Sequence, residues 1–167
     1  EEGYGSGNRE TINLQESQRM LLDALATVNK PMILVNMTGS ATIFPHPEHF
    51  GAILQAWYPG QMGGIAIANT LFGVHNPSGR LPVTFYQDMA QVPEFRDYSM
   101  KGRTYRYLMA EPAHPFGYGL SYPAFAYRDL TATPKDGGLH LAVNVQKTGN
   151  RGGKDTGQAF YPRVAPV

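Results

Sequence analysis

The sequence predicts an α/β fold in which a mostly parallel sheet is sandwiched by helices, followed by the first strands of a β-sandwich. Two observations predict the α/β part: short apolar runs typical of buried strands, and segments of helical periodicity between them. The β part is predicted because the hydrophobic periodicity changes from 3.6 to 2 towards the end of the chain. Each element is supported by local signals along the chain.

The first helix is predicted after a polar, glycine-rich loop at residues 1–10. Asn13 is a suitable N-cap, and Glu16, three residues later, can complete a capping-box-like pair. The predicted apolar face of this helix comprises Met20, Leu21, Leu25 and Val28. The run MILVNM at 32–37 then predicts a short strand that is buried on both faces.

A second strand and a second helix are predicted on either side of a glycine-rich corner. AILQAW at 52–57 is another short apolar run, and the corner YPGQMGG follows it. Segment 65–73 predicts a helix that ends with Gly73 at the C′ position. Its predicted apolar face comprises Ile65, Ala68, Leu71 and Phe72. LPVTFY at 81–86 is predicted as a third strand, which gives an element order typical of parallel sheets.

The pattern changes near residue 88. Segment 88–122 is rich in aromatic residues and has no clear period, which predicts loops. From Phe125 the period is 2, and LHLAVNV at 139–145 alternates as expected for a strand with one buried face. This segment holds too few strands for a complete β-sandwich, so we interpret it as the start of one.

The composition argues against several classes of function. With 14 basic and 13 acidic residues the net charge is +1, so no nucleic acid and no membrane surface is expected as a partner. The sequence has no cysteine, which excludes disulfides, thiolate metal sites and cysteine nucleophiles. No apolar run approaches the length of a membrane span.

Motifs for several other chemistries are missing. The glycines at 3–9 and 60–64 match neither the dinucleotide fingerprint nor the phosphate-binding loop, so we expect no cofactor and interpret YPGQMGG as a structural corner. His46 and His49 are separated by proline and no H-E-x-x-H motif exists, so no metal site is expected. Ser40 lies in TGSA rather than in a G-x-S-x-G nucleophile motif.

Several motifs together resemble glycoside hydrolase family 3. AILQAWYPGQMGGIAIANTLFGVHNPSGRLPVTFY at 52–86 resembles the most recognisable block of that family. The similarity continues in DYSMKGRTYRY at 97–107 and HPFGYGLSYPAFAY at 114–127. Upstream, GNRETINLQESQRMLLDAL and KPMILVNMTGSA are similar to the segments that precede this block. LAVNVQKTGNRGGKDTGQAFY resembles the opening strands of the fibronectin type III-like domain found in many members.

The resemblance implies a domain organisation. Family members combine a (β/α)8-type barrel, an α/β sandwich domain and often a fibronectin type III-like domain. Residues 1–122 would then form an N-terminally incomplete α/β sandwich domain, with 88–122 as its loop-rich interdomain segment, and 123–167 would begin an incomplete fibronectin type III-like domain. In the family the barrel supplies the aspartate nucleophile. We expect neither the barrel nor its aspartate nucleophile in this chain, so the chain alone should be inactive.

The resemblance also implies an acid/base residue. In many members the sandwich domain carries the acid/base glutamate in a segment similar to EEGYGSGNR, which assigns this role to Glu2 and leaves Glu1 as the alternative. Family members mostly retain configuration, and retaining hydrolysis needs two carboxyl groups about 5–5.5 Å apart. Tyr4 and Tyr58 are candidate substrate-binding residues. Trp57 is expected to pack in the core because it ends a buried strand.

Two interpretations are open for KGRTYRY at 101–107. As a sugar-binding loop, this segment would offer Tyr105 and Tyr107 as stacking platforms. Alternatively, these tyrosines with Arg103 and Arg106 connect the sandwich domain to the fibronectin type III-like domain, which is the interpretation we favour.

The leading functional hypothesis is that this chain is part of a retaining exo-acting β-glycosidase, which hydrolyses terminal β-linked glucose or xylose from oligosaccharides or glycosides. The alternative is a non-catalytic carbohydrate-binding or assembly module. The family motifs disfavour a third class, an unrelated flavodoxin-like ligand-binding domain. The expected partners are the glycoside substrate and a barrel domain, in cis or in a partner chain; a homo-oligomer is left open. We expect a periplasmic or secreted location, with a cytoplasmic one as the alternative.

Overall fold

The computed structural model describes residues 11–94 and 96–160. These residues divide into two units, one of 11–67 with 81–118 and the other of 68–80 with 119–160. The helices and strands are α1 (Glu16–Ala26), β1 (Ile33–Asn36), β2 (Ala52–Gln55), α2 (Gly63–Leu71), α3 (Thr104–Tyr107), β3 (Phe125–Lys135) and β4 (Gly138–Lys147). Within these ranges no helix is long and apolar enough to cross a membrane.

Helix α1 is capped by Gln15 and not, as the sequence predicts, by Asn13. The Gln15 N–H donates to Gln18 Oε1 at 3.3 Å, as in a capping box. Asn13 instead forms a parallel β-bridge with Ile43. Asn13 therefore has an extended, paired backbone, and the helix begins only after Gln15, two residues later.

The predicted apolar faces of α1 and α2 are only partly correct. In α1 the buried residue is Leu22, at 7% exposure, and Leu25 and Ala26 are half-buried. These three positions have i, i+3, i+4 spacing and so share a face, which lies one residue away from the predicted one. The exposed members of the two predicted faces are Met20, Leu21, Val28, Ile65, Ala68 and Phe72.

The first two predicted strands form a parallel pair, and this confirms the α/β class. Strands β1 and β2 pair in register from Ile33 opposite Ala52 to Asn36 opposite Gln55. The connection between them contains one 3-10 turn, Pro47–His49, and no α-helix that would cover the sheet. The predicted burial of 32–37 on both faces is therefore wrong: Ile33 is 54% exposed, and the buried residue of β1 is the polar Asn36.

Helix α2 ends as predicted, with Gly73 at C′ in the left-handed region at φ 74°. The Val74 N–H donates to Asn69 O at 2.8 Å, and the Gly73 N–H donates to Thr70 O at 3.0 Å. This pair of bonds is the Schellman motif, which needs a positive φ at C′ and so favours glycine there.

The predicted third parallel strand at 81–86 is wrong. This segment runs instead beside 114–118 in antiparallel fashion, with an isolated bridge between Phe85 and His114. The Leu81 N–H donates to Tyr118 O at 2.8 Å, and the Phe85 and His114 backbones exchange two bonds at 2.9 and 3.2 Å. Pro82 and Pro115 have no N–H to donate, so a continuous ladder cannot form.

The predicted period-2 segment is an antiparallel hairpin of β3 and β4. Its turn places Asp136 at φ 50° and Gly137 at φ 76°, the two positive angles of a type I′ turn. A bulge between Arg128 and Thr131 interrupts the register. Alternate residues of β4 form an apolar stripe in which every side chain is exposed: Leu139, Leu141, Val143 and Val145. The boundary at 122/123 and the fibronectin type III-like assignment stay predictions.

Candidate functional site

Polar side chains gather where the two parallel strands end. Asn36 and Gln55 are the last paired residues of β1 and β2, and Asn36 Nδ2 lies 2.5 Å from Gln55 Oε1. The same amide nitrogen is 3.0 Å from Thr38 Oγ1 and 3.2 Å from Thr42 Oγ1. In open α/β sheets ligands bind beside the carboxyl ends of the strands. This edge is therefore the candidate site.

The cluster fixes the loop after β1 to the end of β2. Gln55 Nε2 donates to Thr38 O at 3.4 Å, and Thr38 Oγ1 donates to Ser40 O at 2.9 Å. Sequence reasoning missed these residues. A signal was available, because the apolar runs ILVN and AILQ each end in an amide at the same register position.

Two consecutive aromatic residues follow β2 in different environments. Trp57 adopts φ 55°, in the left-handed region that few non-glycine residues occupy. Its ring lies edge-on to the buried Phe85 ring, with centroids 6.3 Å apart, but Trp57 itself is half-buried, so its expected core packing is only partial. Tyr58 is 71% exposed and lies against Gly39, where an added Cβ would be 2.6 Å from Tyr58 Cε2.

Two of the three glycines in the corner after Tyr58 have a structural reason. Gly60 has φ 68°, in the region that favours glycine. Gly63 is buried at the start of α2, and an added Cβ would be 2.5 Å from Pro59 Cγ. A positive φ therefore explains Gly60, and the close approach to the Pro59 ring explains Gly63.

Behind Trp57 the aromatic contacts continue to His114 and Tyr118. The His114 ring is 6.4 Å from that of Phe85 and stacks on the Tyr118 ring at 4.6 Å. Burial lowers the pKa of His114 below its usual value, because desolvation penalises the imidazolium. The lowered pKa favours the neutral form of His114 among these aromatic rings.

The Arg103 side chain binds backbone carbonyl groups of the loop that precedes it. Its guanidinium donates to Ser99 O at 2.9 Å, to Glu94 O at 3.1 Å and also to Asp97 O. Tyr105 stacks on Phe116 at 4.6 Å, and the Arg106 guanidinium lies over the Tyr105 ring at 5.7 Å. These contacts give Arg103 and Tyr105 a local structural role within 94–118.

In the second unit Arg80 and Asp155 form a nearly buried ion pair, with side chains 11% and 10% exposed. Tyr127 donates its hydroxyl to Asp155 Oδ2 at 2.6 Å, and this bond raises the pKa of Tyr127. Ser121 Oγ, which accepts from Arg80 at 3.4 Å, donates to Pro77 O at 2.8 Å. The network joins the turn before Arg80 to the segment after β4.

Of the predicted site residues, the structure describes only Tyr58. Glu1, Glu2 and Tyr4 lie outside the described residues, so the acid/base assignment stays a prediction. His46 and His49 stack at 5.4 Å, and His46 Nε2 is 3.2 Å from Asp23 Oδ1. No group of three or more potential metal ligands occurs within 11–94 and 96–160.

Comparison with known proteins identifies the family. The model of the glycosyl hydrolase family 3 C-terminal domain matches residues 1–122. The chain belongs to glycosyl hydrolase family 3. This confirms the family that the motifs resemble. The same match confirms the prediction that this chain is a C-terminal part of a family 3 protein.

Related family 3 proteins are named as β-xylosidases and β-glucosidases. A xylan 1,4-β-xylosidase from Xylanibacter ruminicola is 46% identical over 95% of this chain and 19% of its own length. A periplasmic β-glucosidase from Salmonella typhimurium is 36% identical over 96% of this chain and 23% of its own. The family 3 chain thus spans about a fifth of the length of these curated relatives.

Solved structures of family 3 enzymes share the fold. A β-glucosidase from Streptomyces venezuelae in complex with D-glucose superposes with a TM-score of 0.79 at 33% identity. The match covers 87% of this chain and 21% of that one.

Proposed function

We propose that this chain forms the second domain of a retaining exo-acting β-glycosidase that hydrolyses terminal β-linked glucose or xylose from oligosaccharides or glycosides. The observation that carries the proposal is its 46% identity, along almost its whole length, to a xylan 1,4-β-xylosidase of which it spans 19%. A barrel domain, in cis or in a partner chain, supplies the aspartate nucleophile. The chain alone is expected to be inactive.

Glu2 is proposed as the acid/base, with Glu1 as the alternative. In retaining hydrolysis this carboxyl group protonates the leaving oxygen and then activates water. It must therefore hold a proton near neutral pH, and desolvation by a bound sugar together with a nearby nucleophile favours the protonated form. A loop that closes over the substrate can both desolvate the carboxyl group and bring it close to the nucleophile.

The test is the variant Glu2→Gln in the complete enzyme, with Glu1→Gln as the matched control. Loss of general acid catalysis is expected to reduce hydrolysis of substrates with poor leaving groups by about 10²–10⁴-fold. Aryl glycosides with good leaving groups should react readily in the first step, and azide should rescue their turnover. If Glu2→Gln keeps its activity on poor leaving groups and azide rescues nothing, Glu2 is not the acid/base.

Residues 123–167 are proposed to begin a fibronectin type III-like domain. The antiparallel hairpin of β3 and β4 supports this, because its exposed apolar stripe is the kind of surface that a second sheet covers in a β-sandwich. A periplasmic or secreted location is proposed from the periplasmic β-glucosidase among the relatives.

One experiment separates the glycosidase from a non-catalytic carbohydrate-binding module. The chain alone should show no hydrolysis in either case. Adding a barrel-containing polypeptide, joined or separate, should restore hydrolysis of β-glucosides or β-xylosides only if this chain is part of the enzyme. Sugar binding by the chain without any restored hydrolysis would favour the binding module.

A further inference from the structure

Tyr58 is held against the chain and at the same time open to solvent. Its ring covers Gly39 in the loop after β1, so closely that a Cβ on Gly39 would lie 2.6 Å from Cε2 and 3.1 Å from both Cζ and the hydroxyl oxygen. Yet 71% of Tyr58 is exposed. Part of the ring therefore lies against the Gly39 backbone, and the rest is open to solvent.

The two loops that meet at this contact are themselves fixed. The loop with Gly39 is tied to β2 through Asn36, Thr38 and Gln55, as described above. The loop with Tyr58 is anchored by Trp57, whose ring packs on Phe85. An aromatic ring held in one orientation loses little conformational entropy when a ligand binds to it.

We propose that Gly39 is a positioning residue that sets the orientation of Tyr58 as a stacking surface for the sugar ring of the substrate. This inference rests on the proposed function and on the sequence-based prediction that Tyr58 binds the substrate. Only glycine lets the ring lie this close, because any other side chain at position 39 starts with a Cβ inside the contact distance. Gly39 acts through Tyr58 and does not touch the sugar.

The test compares KM and kcat for four variants of the complete enzyme, with a β-glucoside and a β-xyloside as substrates. Gly39→Ala should displace the ring and raise KM about two- to tenfold, the range expected for one aromatic contact, with little change in kcat. Tyr58→Ala should raise KM by at least as much. Tyr58→Phe, which keeps the ring but removes the hydroxyl, should raise KM less than Tyr58→Ala. Gly64→Ala is the matched control, since an added Cβ there meets nothing within 4 Å.

The double variant Gly39→Ala/Tyr58→Ala distinguishes positioning from a general structural role. If Gly39 acts through Tyr58, KM of the double variant should equal that of Tyr58→Ala. If Gly39→Ala alone fails to fold, the double variant should fold, because the clashing ring is gone. Failure of both to fold would overturn the proposal.

The remaining outcomes separate this inference from the proposed function. If Tyr58→Ala raises KM and a folded Gly39→Ala does not, the inference about Gly39 is wrong and the proposed function stands. If Tyr58→Ala leaves KM unchanged, Tyr58 does not contact substrate and the inference fails. If neither substrate is hydrolysed by the unsubstituted complete enzyme, the proposed function itself fails.

Discussion

Replacing Asp155 by asparagine is expected to lower the free energy of unfolding by about 3 kcal/mol, the lower end of the range for breaking a buried ion pair. The Arg80 and Asp155 side chains are 11% and 10% exposed, so the value of about 0.2–1 kcal/mol for exposed pairs does not apply. Asparagine keeps the size of the side chain but leaves the Arg80 charge without its partner. Arg80 retains contacts to Gly79 O and Ser121 Oγ, which is why the lower end is expected.

Urea unfolding followed by far-UV circular dichroism measures this change. With a slope of about 1–3 kcal/mol per molar urea, the midpoint should fall by roughly 1–3 M. Hydrogen exchange of residues 76–80 and 150–157 gives a local measurement that also works in the complete enzyme. Asp136→Asn is the matched control, because Asp136 is exposed and asparagine is equally suited to its type I′ turn.

The double variant Arg80→Met/Asp155→Leu should be much more stable than Asp155→Asn, because it leaves no unpaired buried charge. A loss below about 1 kcal/mol for Asp155→Asn would show that the pair behaves as an exposed one, and the reasoning from burial would be refuted.

Three further predictions concern the first unit. Thr84→Val should leave stability unchanged or raise it by up to about 1 kcal/mol in thermal unfolding, because the buried Thr84 hydroxyl has no hydrogen-bond partner among the described residues; clear destabilisation would contradict this. Stability should fall as the pH drops below the ordinary histidine pKa of about 6.5, since the unfolded state takes up the proton that burial denies to His114, and His114→Gln should flatten that slope. Asn36 begins an N-x-T glycosylation motif. However, Asn36 is buried, and its side-chain amide donates hydrogen bonds to Thr38, Thr42 and Gln55. A eukaryotic secretory host should therefore attach no glycan to Asn36, and mass spectrometry of the peptide measures this.

Elements with strong local signals were predictable from the sequence. The end of α2 depends on one glycine and two backbone bonds, and the β3–β4 hairpin depends on an Asp-Gly turn with alternating strands. Such signals act over a few residues, so the tertiary structure does not change them. The segment 81–86 looks like a strand by composition, yet Pro82 and the pairing of Phe85 with His114 decide its conformation.

The candidate site was less predictable because it depends on contacts between distant residues. The motifs identify the family and lead to Glu2, but no local pattern shows that Asn36 meets Gln55 or that Tyr58 covers Gly39. The predicted helix face of α1 was shifted by one residue for a related reason. Leu21 and Leu22 are equally apolar, and tertiary packing alone selects Leu22 for burial.

The connection between β1 and β2 has a consequence for the order of folding. Paired residues in this parallel sheet are 19 positions apart, whereas the type I′ turn lets β3 and β4 start pairing between Lys135 and Gly138. Closing the longer loop costs more chain entropy, and parallel pairing offers no tight turn from which to begin. The hairpin should therefore form within microseconds and the parallel pair later, so the candidate site at the ends of β1 and β2 is completed only after the hairpin exists.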